Sequence, residues 1–291
     1  MPTAPRRYLV IVRAGEQSLH PAWLGGADRS WDLFVSWYGD AAYSPVADER
    51  VAAAKGGKWN VLCEQFAAFP ELLGAYDYFW IPDDDIQTDS ATIDGLFRIA
   101  AAEGLPLCQP SLTPDSYFSY VHTVQSPSFR LRYTTFVEIM APCMSRQALL
   151  RVIPHARQST TGFGLNRIWA LLEDDNRHRA AIIDAVAVRH TRPIGKFLAA
   201  RARAGGIEPK AEGEAVDRRF GISGKRREPY CYGGIARRGA YRGQLSSWVH
   251  MLIDYLASSS RWVEPRAWKL FKRCFNYPWR RVSLSKLEAR N

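Results

Sequence analysis

Apolar and polar positions follow two alternating rhythms along the first two hundred residues. RRYLVIVRAG (6–15), WDLFVSWYGD (31–40) and YDYFWIP (76–82) are short β-branched and aromatic runs bounded by turn residues, which predicts strands. Between the second and third, VLCEQFAAFPELL spaces Leu62, Phe66 and Phe69 helically, and after the third ATIDGLFRIAAAEG puts Ile93, Leu96, Phe97 and Ala100 on one helical face. LPLCQPSL (105–112), TTFVEIMAPCMS (134–145) and AAIIDAVAVRH (180–190) predict three further strands, separated by helical patterns in SRQALLRVIPHA and TGFGLNRIWALLEDD. Strand and helix in alternation predict an α/β sandwich with a mainly parallel sheet, in which ligands occupy the crevice beyond the carboxyl ends of the strands.

From about Lys196 the rhythm is lost. Residues 1–200 are expected to form the α/β domain, 201–241 a basic Gly/Arg-rich connection, and 242–291 a mostly helical extension mixing aromatics with cations. Composition agrees with an ordered chain: of 291 residues, 47% are hydrophobic and 23% charged, outside the disordered range. The net charge of +10 is unevenly placed. Residues 1–200 hold 19 Lys and Arg against 21 Asp and Glu, a net −2, whereas 201–291 hold 20 against 8, a net +12. A near-neutral body with a cationic appendage points to an anionic partner for the appendage. Five widely spaced cysteines, odd in number and without paired-ligand spacing, read as reduced thiols. With no secretory signal pattern and no apolar run of spanning length, a cytoplasmic protein is expected.

The chemistry concentrates at two strand ends. The aromatic run 76–82 drives into Asp83, Asp84 and Asp85, of which Asp83 and Asp85 can point the same way. Two carboxylates at a strand end suit a hard divalent cation such as Mg²⁺ or Mn²⁺ together with phosphate oxygens; the competing reading is a polar loop before a helix. His190 closes the apolar run 180–190, where it either completes a cation's ligand set or hydrogen-bonds at a sheet edge. Glu138, inside the apolar FVEIMAP, is either a site carboxylate able to take a proton or a strand residue facing solvent. His122 in YFSYVHTVQS is a candidate for lining an acceptor pocket.

Taken in order, YDYFWIPDDDI, GLPLCQPSL, TTFVEIMAPCMS, TGFGLN and IIDAVAVRHTRPIG resemble a glycosyltransferase-like family, a domain of unknown function in plants and bacteria, with the GT-A type of nucleotide-diphospho-sugar fold. The resemblance covers roughly residues 6–200. It implies a metal-dependent transfer of a sugar from a nucleotide-diphospho-sugar to a glycan or lipid-linked acceptor. Asp83, Asp84 and Asp85 then match the nucleotide-sugar motif, with Asp83, Asp85 and His190 on Mn²⁺ or Mg²⁺, Asp40 near the base or ribose, and Lys58 on a phosphate. One position departs from the pattern: the Gly-Leu of TGFGLN is followed in relatives by Asp, a plausible base, and here by Asn166, whose amide accepts no proton at neutral pH. The alternatives are a nucleotide-sugar-binding protein without transfer, or a nucleotidyltransferase.

The last fifty residues interleave Trp248, Trp262, Trp268, Phe271, Phe275 and Trp279 with Arg261, Arg266, Lys269, Lys272, Arg273, Arg280 and Arg281. This is the composition of an interfacial anchor on an anionic membrane, placing the protein peripherally at its inner face; the competing reading packs the aromatics on the domain. No nucleic-acid-binding module accompanies the cations, which ranks nucleic acid last.

Overall fold

Leu9 and Ile11 point to one side of the first strand, β1 (Tyr8–Ala14), while Val10 and Val12 point to the other, and both sides are sealed from water. That double burial is why the strand reads as a continuous apolar run. The computed structural model describes residues 6–25, 29–172, 180–194, 206, 208–222 and 229–275. In chain order β1 is followed by β2 (Trp31–Trp37), β3 (Glu49–Ala53), α1 (Lys58–Ala68), α2 (Glu71–Ala75), β4 (Tyr78–Trp80), β5 (Ile86–Gln87), α3 (Ser90–Ala102) and β6 (Leu107–Leu112). Then come β7 (Phe129–Thr134), β8 (Cys143–Ser145), α4 (Arg146–Ala156), α5 (Leu165–Ile168), β9 (Ala180–His190), α6 (Pro209–Arg219), β10 (Cys231–Ala236), β11 (Tyr241–Gly243), α7 (Gln244–Ser258) and α8 (Ala267–Phe275).

One sheet carries the strands in the order β11-β10-β7-β9-β6-β8-β4-β1-β2-β3, with β5 paired to β9. Its two faces bury separate clusters. Trp59, Leu62 and Phe66 of α1 with Leu149 and Val152 of α4 cover one, and Ile93, Leu96 and Phe97 of α3 with Met251 and Tyr255 of α7 cover the other. The α/β/α layering is therefore as expected, but the sheet is mixed rather than mainly parallel. The β3-β2-β1-β4 half is parallel, whereas β8 enters antiparallel between β4 and β6, and β7, β10 and β11 add antiparallel pairs.

The expected strand over 134–145 resolves into the end of β7, an irregular stretch and the three residues of β8. β7 itself, FRLRYT, hides its strand character behind Arg130 and Arg132. The sheet also continues past residue 200, since β10 and β11 extend it and α7 shares its core. The aromatics of the C-terminal segment split: Trp262, Phe271 and Phe275 pack against the core and Trp248 lies 5.3 Å from Phe275, while Trp268 is exposed. Trp279, Arg280 and Arg281 lie outside the described residues.

Arg132 is fully buried beside Asp184. Its five N–H groups all find acceptors: both carboxylate oxygens of Asp184, the carbonyls of His122 and Val124, and the Tyr255 hydroxyl. Burial alone works to lower the guanidinium pKa, but the charge of Asp184 prevails and raises it. Asp184 reaches Arg132 because β9 bulges against β6: Pro110 pairs with Ile183 but Ser111 pairs with Ala187, leaving Asp184, Ala185 and Val186 looped out. Arg132→Met alone strands a buried carboxylate and is expected to lower unfolding stability by about 3–5 kcal/mol. Adding Asp184→Leu should recover part of that loss in urea titrations, and additive losses in the pair would show that the two side chains are not coupled.

Candidate functional site

β1 connects outward to β2 and β3, and the chain then returns through α1 and α2 to β4 on the opposite side of β1. This reversal is the sheet's topological switch point, the place where open α/β sheets bind ligands, here at the carboxyl ends of β1 and β4. The backbones of Arg13 and Asp83 continue the β1–β4 pairing there as an isolated parallel bridge. The backbone beyond β4 is pinned by Ile81 N donating to Pro142 O at 2.8 Å and Asp83 N to Met140 O at 2.7 Å. A turn follows, and it distributes the three aspartates among different partners.

Asp83 Oδ1 accepts from Lys58 Nζ at 2.6 Å. The same ammonium donates to the carbonyls of Ile81 (2.8 Å) and Ile139 (3.2 Å), so its three N–H groups are committed. Lys58 is thus the internal counter-cation of the cluster. Its place is set by Gly57, which caps α1 where a Cβ would lie 2.0 Å from Thr160 O. Burial raises the Asp83 pKa, with Lys58 opposing and Asp85 reinforcing.

Asp84 turns the other way. Its Oδ2 accepts from Tyr38 Oη (2.8 Å) and Gly15 N (3.2 Å), and Oδ1 faces Arg192 at 3.2 Å, so it braces the loops after β1, β2 and β9. Asp85 Oδ2 lies 3.3 Å from His190 Nε2, and its Oδ1 is buried with no hydrogen-bond partner among the described residues.

His190 arrives at the end of β9, which pairs with β5 through Ile86 and His190. Its Nδ1 is 3.0 Å from Tyr117 O. A carbonyl only accepts, so Nδ1 carries the proton and Nε2 is directed at Asp85. Burial works to lower the imidazole pKa, but the hydrogen bond and charge of Asp85, with Asp83 behind it, hold it above its ordinary value. One ligand atom from each of Asp83, Asp85 and His190 lies within 4.8 Å of the others. Two hard oxygens, an imidazole fixed by its other nitrogen and an unsatisfied carboxylate oxygen are a donor set that could hold a divalent metal ion.

Glu138 belongs to the irregular stretch between β7 and β8, not to a strand, and it is buried rather than facing solvent. Burial pushes its carboxyl up to about 7, against a hydrogen bond with Ser119 and the charge of His190. Oε2 finds no partner among the described residues. Asp40 stands exposed on the loop after β2, paired with Lys55 at 2.5 Å, one loop away from the cluster. Asn166 sits in α5, behind a loop whose Gly162 abuts Ile139 and Trp59. His122 is buried, with its Nε2 unpartnered among the described residues and its pKa lowered by burial to about 3. Sequence reasoning missed Tyr117, Ser119, Tyr38 and Arg192; only Arg192 had a signal, standing two residues beyond His190.

No family model matches this chain, and no curated protein does. Among solved structures, a mycobacterial protein matches over 76% of both chains at 14% identity and a TM-score of 0.46.

A cation entering here would displace the His190 proton, so affinity for Mn²⁺ should fall about tenfold per pH unit below the imidazole pKa. Without a cation, the raised His190 pKa contributes stability that is complete below about pH 6.5 and lost as pH rises through the folded value. Asp85→Asn and His190→Ala should abolish Mn²⁺ binding in calorimetry. PH-independent affinity that survives both changes would exclude this cluster as the metal site.

Proposed function

We propose that the protein is a metal-dependent glycosyltransferase of GT-A type, moving a sugar from a nucleotide-diphospho-sugar to a glycan or lipid-linked acceptor. The observation that carries this reading is the convergence of Asp83, Asp85 and His190 at the switch point of an α/β sheet. A divalent cation held there would supply charge neutralisation for a departing diphosphate. The chain's own residues supply the rest. Asp83 and Asp85 provide the hard ligands, and Tyr117 O fixes the imidazole so that His190 Nε2 is the third. Lys58 offsets part of the carboxylate charge in the meantime.

Glu138 is the group able to take the acceptor's proton. A carboxylate that titrates near neutrality is matched to general-base work, and its unpartnered Oε2 is free to receive the proton. Ser119 holds the side chain by a hydrogen bond. Asn166 favours a second reading, in which the same pocket binds nucleotide-sugar without transfer, because its amide cannot replace the carboxylate of the family pattern.

Calorimetry with UDP, GDP and their sugar conjugates, each with Mn²⁺ and with chelator, tests the donor class. Cation-dependent binding of one nucleoside diphosphate is expected; no binding across the panel would reject the proposal, and release of pyrophosphate during turnover would reassign it to a nucleotidyltransferase. Glu138→Gln should lower kcat by roughly 10²–10⁴ with donor affinity retained, and the wild-type rate should rise with pH through about 7. Asn166→Asp separates the second reading: a gain of about tenfold, about 1.4 kcal/mol of barrier, would show that a missing carboxylate limits transfer.

A further inference from the structure

α7 is apolar on two sides. Ser247, Met251, Tyr255 and Ser258 are buried against the sheet. Leu245, Val249, Ile253 and Leu256 repeat the same spacing two residues earlier, about 200° around the helix, and all four are exposed, Ile253 by 58% and Leu245 by 49%. Trp268 on the neighbouring α8 is 53% exposed. An aliphatic stripe opposite a helix's packed face has no role in this core.

The charge around the stripe is of one sign. Residues 229–275 carry eight Lys and Arg against two acids. Neither acid faces outward as a free charge: Asp254 accepts from Ser126 and Ser128, and Glu264 is buried and holds Arg266. Arg261, Lys269 and Lys272 are exposed. A second copy on this face would bring two cationic rims together. The remaining C-terminal residues are also cationic, with Arg280, Arg281, Lys286 and Arg290 against Glu288. Nucleic acid would match the charge but gains nothing from four aliphatic side chains.

We infer that the exposed face of α7, with Trp268 and the flanking cations, docks on an anionic lipid surface. Aliphatic side chains enter the acyl boundary while Lys and Arg meet the headgroups. This differs from the anchor read in the sequence, since most of those aromatics are spent on packing. The placement also bears on the site. Trp262, between α7 and α8, packs edge-on against Phe118 at 6.1 Å. Phe118 stands between Tyr117, which orients His190, and Ser119, which holds Glu138. Lipid docking therefore sets the Glu138 side of the cleft against the membrane plane and selects a lipid-linked acceptor, a step that rests on the transferase reading.

Co-sedimentation of the full chain with phosphatidylcholine vesicles, with and without phosphatidylglycerol, tests the surface. The wild type should sediment with the anionic vesicles alone. Ile253→Glu/Leu256→Glu should lose at least about tenfold in partitioning, and Lys269→Glu/Lys272→Glu should lose partitioning and its salt dependence. The exposed positions leave the fold intact, which circular dichroism and Mn²⁺-dependent nucleotide binding verify. Equal partitioning of wild type and stripe variant would overturn the inference. So would binding to a DNA or RNA duplex without binding to vesicles, or a dimer in light scattering that Ile253→Glu dissolves. Vesicle binding without any nucleoside diphosphate binding would uphold the surface while removing the transferase reading and its acceptor.

Discussion

A guanidinium with all five donors satisfied holds the later half of this protein together. Arg132 joins β7, the β9 bulge, the loop at 122–126 and α7, because its acceptors come from each of them. Ser126 N adds a further bond to Asp184 Oδ1, so neither ion is left with unmet demand. A buried ion pair is expensive to form and gains little over apolar packing unless its hydrogen bonds are complete. What this one provides is definition: the looped-out residues 184–186 shift the pairing of β9 by three, and an odd shift exchanges the strand's two faces. The residues that follow, ending at His190, are aimed by that exchange.

The aspartate triplet shows the same economy of charge. Three adjacent carboxylates repel one another, and each is assigned a different cation: Lys58, Arg192 or the imidazole of His190. The arrangement is self-consistent without a metal, yet one position is exchangeable. Lys58 also holds two carbonyls and Arg192 also donates to Gln17 O, whereas His190 Nε2 faces only Asp85 in the described contacts. Exchanging that proton for a divalent ion would raise the local charge by one unit and would give the orphaned Asp85 Oδ1 a partner.

Much of the parallel half was legible, because a strand buried on both faces must be apolar throughout. β1, β2, β6 and β9 all announce themselves, and β9 ends at the histidine its pattern ends on. The antiparallel half was not. In β7 the arginines occupy alternate positions, which reads as a solvated face; nothing local distinguishes Arg130, at the surface with Glu103, from Arg132, sealed against Asp184. β3 is an edge strand with mostly exposed side chains, and β10 contains Gly233, where Tyr241 and the Arg242 carbonyl of β11 crowd in, and Gly234, where the Leu131 carbonyl and the Phe129 ring of β7 do. Glu138 was legible as an anomaly, a carboxylate among apolar residues, although its true setting is an irregular segment. Tyr117 contributes a backbone carbonyl, which any residue type provides, so no side-chain pattern could have shown it.

The C-terminal segment shows why composition misleads about surfaces. Aromatics and cations in alternation describe an interfacial anchor and a packed helix equally well, since a large ring beside a long charged stem suits either. Three-dimensional spacing separates the two. Phe275 contacts Trp248 and Tyr255, and Trp262 contacts Phe118, so these rings fasten the segment to the body. Leu245, Val249, Ile253 and Leu256 are left outside, with Trp268 as the exposed ring beside them. The rings and the aliphatics thus divide the work: the first fix the segment beside the loop at 117–119, and the second give it an outward face whose position relative to His190 and Glu138 is already determined.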